Sequence, residues 1–286
     1  ELDTQSSLPP APPPIANPGY VNFGIHLSAD SYNMAGDLDG VVALHPDTIK
    51  VLSSHNEVDL RKLSAQVQPS TWIIRAFLNF GTNNVTPQQF VTWTVNDVRR
   101  TLSAISGSAS NTWLELHNEP NLTTEGLGYS WANGAEFGKW MSEVATLYRA
   151  AIPGIKLLSP GLSPGGDISG LRIGHVAFWN GMAPYIRFVD GVGVHSYWSV
   201  PNYPMSTAVD LVKWYASKTG KPLYITEFSN NTRQTSEEVK AAEYIEFLKA
   251  ASATPTFRGG TAFVLSASNP AWGWQSGSGE VITSKM

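Results

Sequence analysis

The sequence has no cysteine. That excludes structural disulfides, thiolate zinc sites, iron–sulfur clusters and a cysteine nucleophile together. Charge is scarce as well: charged residues are 15% of the 286, the formal net charge is -4, and no long basic run occurs. Such a chain lacks the electrostatic footprint that grips a phosphate backbone, so nucleic acid is not an expected partner. No apolar run approaches the roughly 18 residues that a membrane span requires, and no stretch of the given sequence reads as a signal peptide. The chain begins with Glu1 rather than Met, which reads as a processed or cloned piece of something longer. What is abundant is aromatic: 10 Trp, 10 Tyr and 11 Phe suit either a large core or a surface that stacks on flat ligand faces.

Residues 5–19, "QSSLPPAPPPIANPG", are too rich in proline for a helix or a sheet interior and read as an extended tether. We therefore divide the chain into a tail over 1–19 and one folded domain over 20–286. The tether leaves room for a further domain or an anchor upstream. Beyond Tyr20, eight short apolar runs read as strands: 20–27, 48–54, 71–78, 112–120, 155–161, 189–198, 222–229 and 259–268. Helix signals separate several of them. Thr86-Pro87-Gln88-Gln89 combines a capping hydroxyl, a proline at the first helical position and Gln at N3, predicting a helix over 87–105. Phe137, Trp140, Met141, Val144, Leu147 and Tyr148 share one helical face. Residues 206–218 form another helix, and Thr235-x-x-Glu238 reads as a capping box opening a helix to about Ala250.

Strands separated by helices pair in parallel, because each crossover returns the chain to the same end of the sheet. Eight such units predict an α/β fold, a (β/α)8 TIM barrel with its last helix short or absent; a doubly wound open sheet is the competing architecture. In a barrel, the C-terminal strand ends converge on one face. That puts Glu119, closing the fourth strand, opposite Glu227, closing the seventh. Paired carboxyl groups are what glycosidic cleavage needs, one protonating the leaving oxygen and the other attacking the anomeric carbon. Either glutamate alone would more readily be a helix cap or an arginine partner.

"NEP" at 118–120, "ITEF" around Glu227 and "VHSYW" at 194–198 resemble the strand-end motifs of the clan A retaining glycoside hydrolases, built on the (β/α)8 barrel. The resemblance covers residues 20–275 as a pattern of strands. It implies that Glu119 is the general acid/base and Glu227 the nucleophile, that Asn118 bonds the sugar 2-hydroxyl, that Tyr197 donates its hydroxyl to Glu227, and that His195 binds substrate or tunes the acid/base. Pro120 restricts Glu119 to extended or turn geometry, holding the carboxyl at the rim. Arg75 is a charged residue in the apolar run "WIIRAFL"; if it points inward it needs a partner, and Glu227 is the natural one. Trp272 follows the eighth strand, where the resembling family places a tryptophan beneath the sugar. Trp198 and His26 are weaker candidates for the rim, since core packing is the commoner fate of a single aromatic.

The activity implied is hydrolysis of β-linked poly- or oligosaccharide with retention, using no metal or organic cofactor, in a secreted or extracytoplasmic setting. A polysaccharide-binding barrel without activity and a transglycosylase are the alternatives. Other constellations are weaker. "GLSPG" at 161–165 matches a nucleophile elbow, but Pro164 lacks the N–H its oxyanion hole requires. "HNE" at 117–119 lacks the cysteines of a zinc deaminase. "DLDG" at 37–40 reads as a turn rather than a calcium loop. Asn84, Asn121 and Asn230 open N-x-[ST] sequons, which arise by chance.

Overall fold

Eight parallel strands follow one another around a closed barrel in chain order. They are β1 Phe23–His26, β2 Thr48–Leu52, β3 Thr71–Arg75, β4 Thr112–Glu115, β5 Lys156–Ser159, β6 Gly191–Trp198, β7 Leu223–Asn230 and β8 Phe257–Ala262. The structure is a computed structural model that describes residues 22–30, 38–105, 112–232 and 235–267. Closure is carried by β1 against β8, where Phe23, Gly24 and Ile25 align with Gly260, Thr261 and Ala262. That pairing rules out the open sheet. Each of the eight apolar runs supplies one strand.

The outer layer holds α1 Leu38–Leu44, α2 Glu57–Gln66, α3 Pro87–Ala104, α4 Gly134–Ala151, α5 His175–Met182, α6 Met205–Lys218 and α7 Glu237–Ser252. Helix α3 begins as its sequence dictates, with the Thr86 hydroxyl accepting from Gln89 N and the Gln89 side chain accepting from Thr86 N. At α7 the cap is Ser236, whose side chain accepts from Val239 N; the box centred on Thr235 is displaced by one residue. One further expectation changes: "DLDG" is not only a turn, because α1 takes its Leu38, Asp39 and Gly40 into a first helical turn. Helix α2, absent from the sequence-based expectations, starts at an Asn56 cap that accepts from Val58 N and Asp59 N.

Burial follows the strand alternation. Ile49 and Val51, Trp72 and Ile74, Leu114, Leu157, Val194 and Ile225 join the helices in one continuous apolar layer. Their chain neighbours Ile73, Trp113, Leu158 and Tyr224 form a separate small cluster, one residue from each of four strands. Successive side chains on a strand point to opposite faces, so this second cluster fills the barrel interior. Lys50, between Ile49 and Val51, and Glu115, two residues beyond Trp113, share that inward parity. The interior is thus apolar at one level and charged nearer the C-terminal strand ends.

Candidate active site

The β4 ladder stops at Glu115, and residues 116–120 carry the chain over the barrel rim. Glu119 sits there with φ 36°, in the left-handed region, and its carbonyl accepts from Leu122 N at 2.9 Å to close a turn. Its own N–H donates to Gly161 O at 3.1 Å, and Trp131 Nε1 donates to Pro120 O at 2.7 Å. A non-glycine residue in that region stores strain of order 1–3 kcal/mol, which the surrounding bonds must offset. Of the two geometries open to a residue before proline, the turn is the one adopted.

Glu227 reaches the same place by a different device. Tyr224 faces the interior and Ile225 the helices, so strict alternation would turn Thr226 inward and Glu227 outward. The β6–β7 register shifts here: Val194 pairs with Ile225, but His195 pairs with Glu227. One extra residue restores the inward parity, bringing Glu227 into the mouth while Phe228 packs outward.

The two carboxylates meet across one imidazole. His195 Nδ1 lies 2.9 Å from Glu119 Oε1 and 3.5 Å from Glu227 Oε2. The three ligand atoms of Glu119, His195 and Glu227 all fall within 4.8 Å of one another. The Tyr197 hydroxyl donates to Glu227 Oε2 at 2.6 Å. Glu227 Oε1 faces two cations, Lys50 Nζ at 3.3 Å and Arg75 Nη1 at 3.4 Å. Arg75 Nη1 also donates to Asn118 Oδ1 at 2.9 Å, and Asn118 Nδ2 donates to Glu125 Oε1 at 3.1 Å, so the Asn118 amide is fixed at both ends. Arg75, Asn79, Asn118 and Glu125 line a hollow beside the pair.

Charge separates the carboxyl groups. Burial alone would raise Glu227, but the positive charges of His195, Lys50 and Arg75 outweigh it and hold the group well below the usual carboxylate range. The opposite holds for Glu125, which burial pushes up to about 7. For His195, burial works against protonation, yet Glu227 and the bond to Glu119 raise the imidazole overall. Burial and then the Glu227 charge raise Tyr197 well above its ordinary value, so it stays a donor. A nitrogen and two carboxylate oxygens this close form a donor set that metals use elsewhere. Here the ammonium and guanidinium groups against Glu227 already neutralise it and would repel a divalent cation.

The sequence matches no protein-family model and no curated protein. Its fold does have counterparts among solved structures. The curdlan-specific exo-beta-1,3-glucanase of Blastomyces gilchristii superposes with a TM-score of 0.53 at 17% identity, over 87% of this chain and 92% of that one. The GH53 catalytic domain of Ignisphaera aggregans gives 0.57 at 13% identity, over 88% and 86%. The endo-1,4-beta-D-mannanase of Thermotoga petrophila gives 0.52 at 10%, over 86% and 88%. What they share with this chain is the barrel.

On that barrel, Glu119, Glu227, Asn118, Tyr197, His195 and Arg75 form one connected group at the mouth. Trp198 does not join it. Its indole is 1% exposed, packs on Phe228 and Phe247 in the helix layer, and donates Nε1 to Glu243 Oε2 at 3.1 Å. It presents no face to a ligand, because it follows Tyr197 on β6 and alternation sends it outward. His26 is buried and meets Phe263 edge-on at 5.3 Å; burial and the Lys50 charge keep it neutral. Trp272 lies outside the described residues. The aromatic that β8 brings to the mouth is Phe263, directly after the strand, 6.4 Å from the Tyr197 ring and joined to Val264 by a cis peptide bond. His117, next to Asn118, is a packing residue: its Nε2 meets Glu125 O at 2.8 Å and burial lowers it to about 3.

Lys50 is the charged partner that motif reading missed. "TIKVL" offers one signal, a lysine at the centre of an apolar strand run, which ordinarily reads as a solvated position. Two of the three sequons are structural. Asn121 is buried, donating to Ser163 O and Ile173 O, and Asn230 is buried against Glu243.

Proposed function

We propose that this chain is a retaining glycoside hydrolase acting on β-linked poly- or oligosaccharide by double displacement. The observation that carries the reading is the pairing of Glu119 and Glu227, whose oxygens approach within 4.8 Å. A carboxyl separation of about 5–5.5 Å suits a nucleophile and an acid gripping one sugar from two sides, whereas inversion needs about 6.5–9.5 Å to admit a water.

In the first step a Glu227 oxygen attacks the anomeric carbon. The carbon–oxygen bond to the leaving group breaks, and Glu119 delivers a proton to that oxygen. The product is a glycosyl ester on Glu227 and a released alcohol. In the second step Glu119 takes a proton from water, the resulting hydroxide-like oxygen attacks the same carbon from the opposite face, and Glu227 leaves as carboxylate. The electrostatics fit these roles. Glu227 is kept ionised by cations and by Tyr197, while Glu119, its side chain 17% exposed, faces both solvent and the His195 ring. Asn118, held by Arg75 and Glu125, presents a fixed amide beside the nucleophile, where a sugar 2-hydroxyl would lie.

The fold counterparts, named for a beta-1,3-glucanase and a beta-1,4-mannanase, direct the substrate search toward β-linked glycans. The test is reducing-end release from β-1,3-glucan, β-1,4-glucan, mannan and xylan by the parent chain and by Glu227→Gln. Turnover in the parent that E227Q abolishes supports the proposal. A parent chain that binds these glycans and cleaves none of them overturns it in favour of a binding barrel. Sugar transfer to an added acceptor without net hydrolysis would make it a transglycosylase.

A further inference from the structure

Beneath the carboxylate pair lies a second ion pair that the catalytic steps do not use. Lys50 and Glu115 are both 0% exposed, and Lys50 Nζ stands 2.7 Å from Glu115 Oε2. The same ammonium lies 3.3 Å from Glu227 Oε1 and donates to the carbonyl of Thr226, the extra residue of β7, at 3.2 Å. The ammonium thus sits between an ion-pair contact on β4 and two hydrogen-bond acceptors on β7.

Burying two ions costs several kcal/mol each, and a well-packed apolar pair often serves a fold as well or better. The level beneath shows that this barrel accepts such packing, with Ile73, Trp113, Leu158 and Tyr224 in the interior. Stability therefore does not explain the pair, and its contact with Glu227 does. The groups around that carboxylate are His26 from β1, Lys50 from β2, Arg75 from β3, Glu119 and Glu125 from the segment after β4, and His195 and Tyr197 from β6, with Glu115 of β4 behind Lys50. Among these, Arg75 is shared with Asn118 and His195 with Glu119, so each has a second task in the mouth. Among the described residues, the polar contacts of Lys50 are Glu115, the Thr226 carbonyl and Glu227 itself. Glu115 takes its shorter contact, 2.7 Å against 3.3 Å to Glu227. Glu115 Oε1 also lies 3.5 Å from the N–H of Gly161, which supports His195.

We propose that Lys50, anchored by Glu115, is a positioning cation that fixes Glu227 at Oε1 and at the Thr226 bulge and keeps its carboxylate ionised from inside the barrel. This rests on the reading of Glu227 as nucleophile, but its hold on the carboxylate can be measured without turnover.

The test is a ¹³C-carboxyl NMR titration of glutamate-labelled protein, with the Glu227 resonance assigned by E227Q. It compares the parent, K50M/E115M and E115Q. Replacing both partners by methionine removes the pair without stranding a buried charge. We expect Glu227 in K50M/E115M to bind its proton at least about tenfold more tightly, an upward shift of one pKa unit or more. We expect E115Q, with the anchor neutralised, to shift it downward. Where the parent turns over a glycoside, kcat of K50M/E115M should fall at least about tenfold at little change in KM, with the acid limb of the profile moving to higher pH. A folded K50M/E115M whose Glu227 titrates as in the parent overturns the proposal. If that variant does not fold, an unmoved Glu227 in E115Q overturns it. Absence of turnover in the parent would instead count against the nucleophile reading, leaving the titration to decide the role of Lys50.

Discussion

The Tyr197 hydroxyl donates to Glu227 Oε2 over 2.6 Å, and no described residue other than His195 pairs with that oxygen. A hydroxyl bonded to a carboxylate is among the stronger hydrogen bonds, with about 1.5–3 kcal/mol lost when it is removed. Tyr197→Phe should therefore lower kcat roughly 10- to 150-fold while leaving the fold intact. The acid limb of kcat/KM should also move to higher pH, because Glu227 loses a donor that favours its charged form. Steady-state kinetics across pH on a soluble β-glycan reads both.

Removing the acid/base has a different signature. Glu119→Ala should reduce kcat about 10²- to 10⁴-fold on substrates with poor leaving groups. Aryl glycosides with acidic phenols need little protonation and should retain a fast first step. Added azide should restore turnover by replacing water in the second. The same rescue pattern in E227A in place of E119A would exchange the two roles.

Gly161 lies under His195, and a Cβ placed there would come 2.1 Å from the imidazole Cδ2. The imidazole is buried and cannot step aside without breaking its 2.9 Å contact with Glu119. Gly161→Ala should thus cost activity out of proportion to stability, with a loss of at least about tenfold in kcat and the basic limb of the profile displaced. Thermal unfolding measured beside the kinetics separates the two effects.

Glu125 gives a pH dependence of stability with a definite sign. Its carboxyl rises from an ordinary 4.5 to about 7 on burial. Between those values the folded chain holds a proton that the unfolded chain has released, so this group makes stability fall as pH rises, with no further change above about 7. Glu125→Gln should remove that slope. Relative to the parent, the variant should gain in denaturant midpoint on going from pH 5 to pH 8.

Much of the scaffold is legible in the sequence, for a physical reason. Parallel strands buried on both faces appear as apolar runs, and "TWIIR" or "KLLS" need no tertiary information to be found. Helices α3 and α4 announce themselves by a long apolar face, and α3 also by its cap. Short helices such as α1 and α5 do not, because seven or eight residues carry too little periodicity and α5 has no side-chain cap. The site is legible where a motif closely follows a strand, as at Asn118-Glu119-Pro120. It is illegible where it depends on one irregular residue or on depth. Alternation along β7 points Glu227 the wrong way, and only the bulge at Thr226 corrects it. Lys50 and Trp198 show the same limit from opposite sides. A lysine, ordinarily solvated, is enclosed by carboxylates, and a tryptophan beside the site faces the helix layer.

The central claim is that Glu227 forms a covalent bond to the sugar while Glu119 manages the proton. Incubation with 2-deoxy-2-fluoro-β-glycosides bearing good leaving groups slows the second step more than the first and lets the ester accumulate. Intact-protein and peptide mass spectrometry should show one fluorosugar added, on the peptide containing Glu227, with the adduct absent in E227Q and turning over slowly when an acceptor is supplied. Hydrolysis that proceeds without any adduct, releasing the inverted anomer from a turnover-competent substrate, would contradict the account.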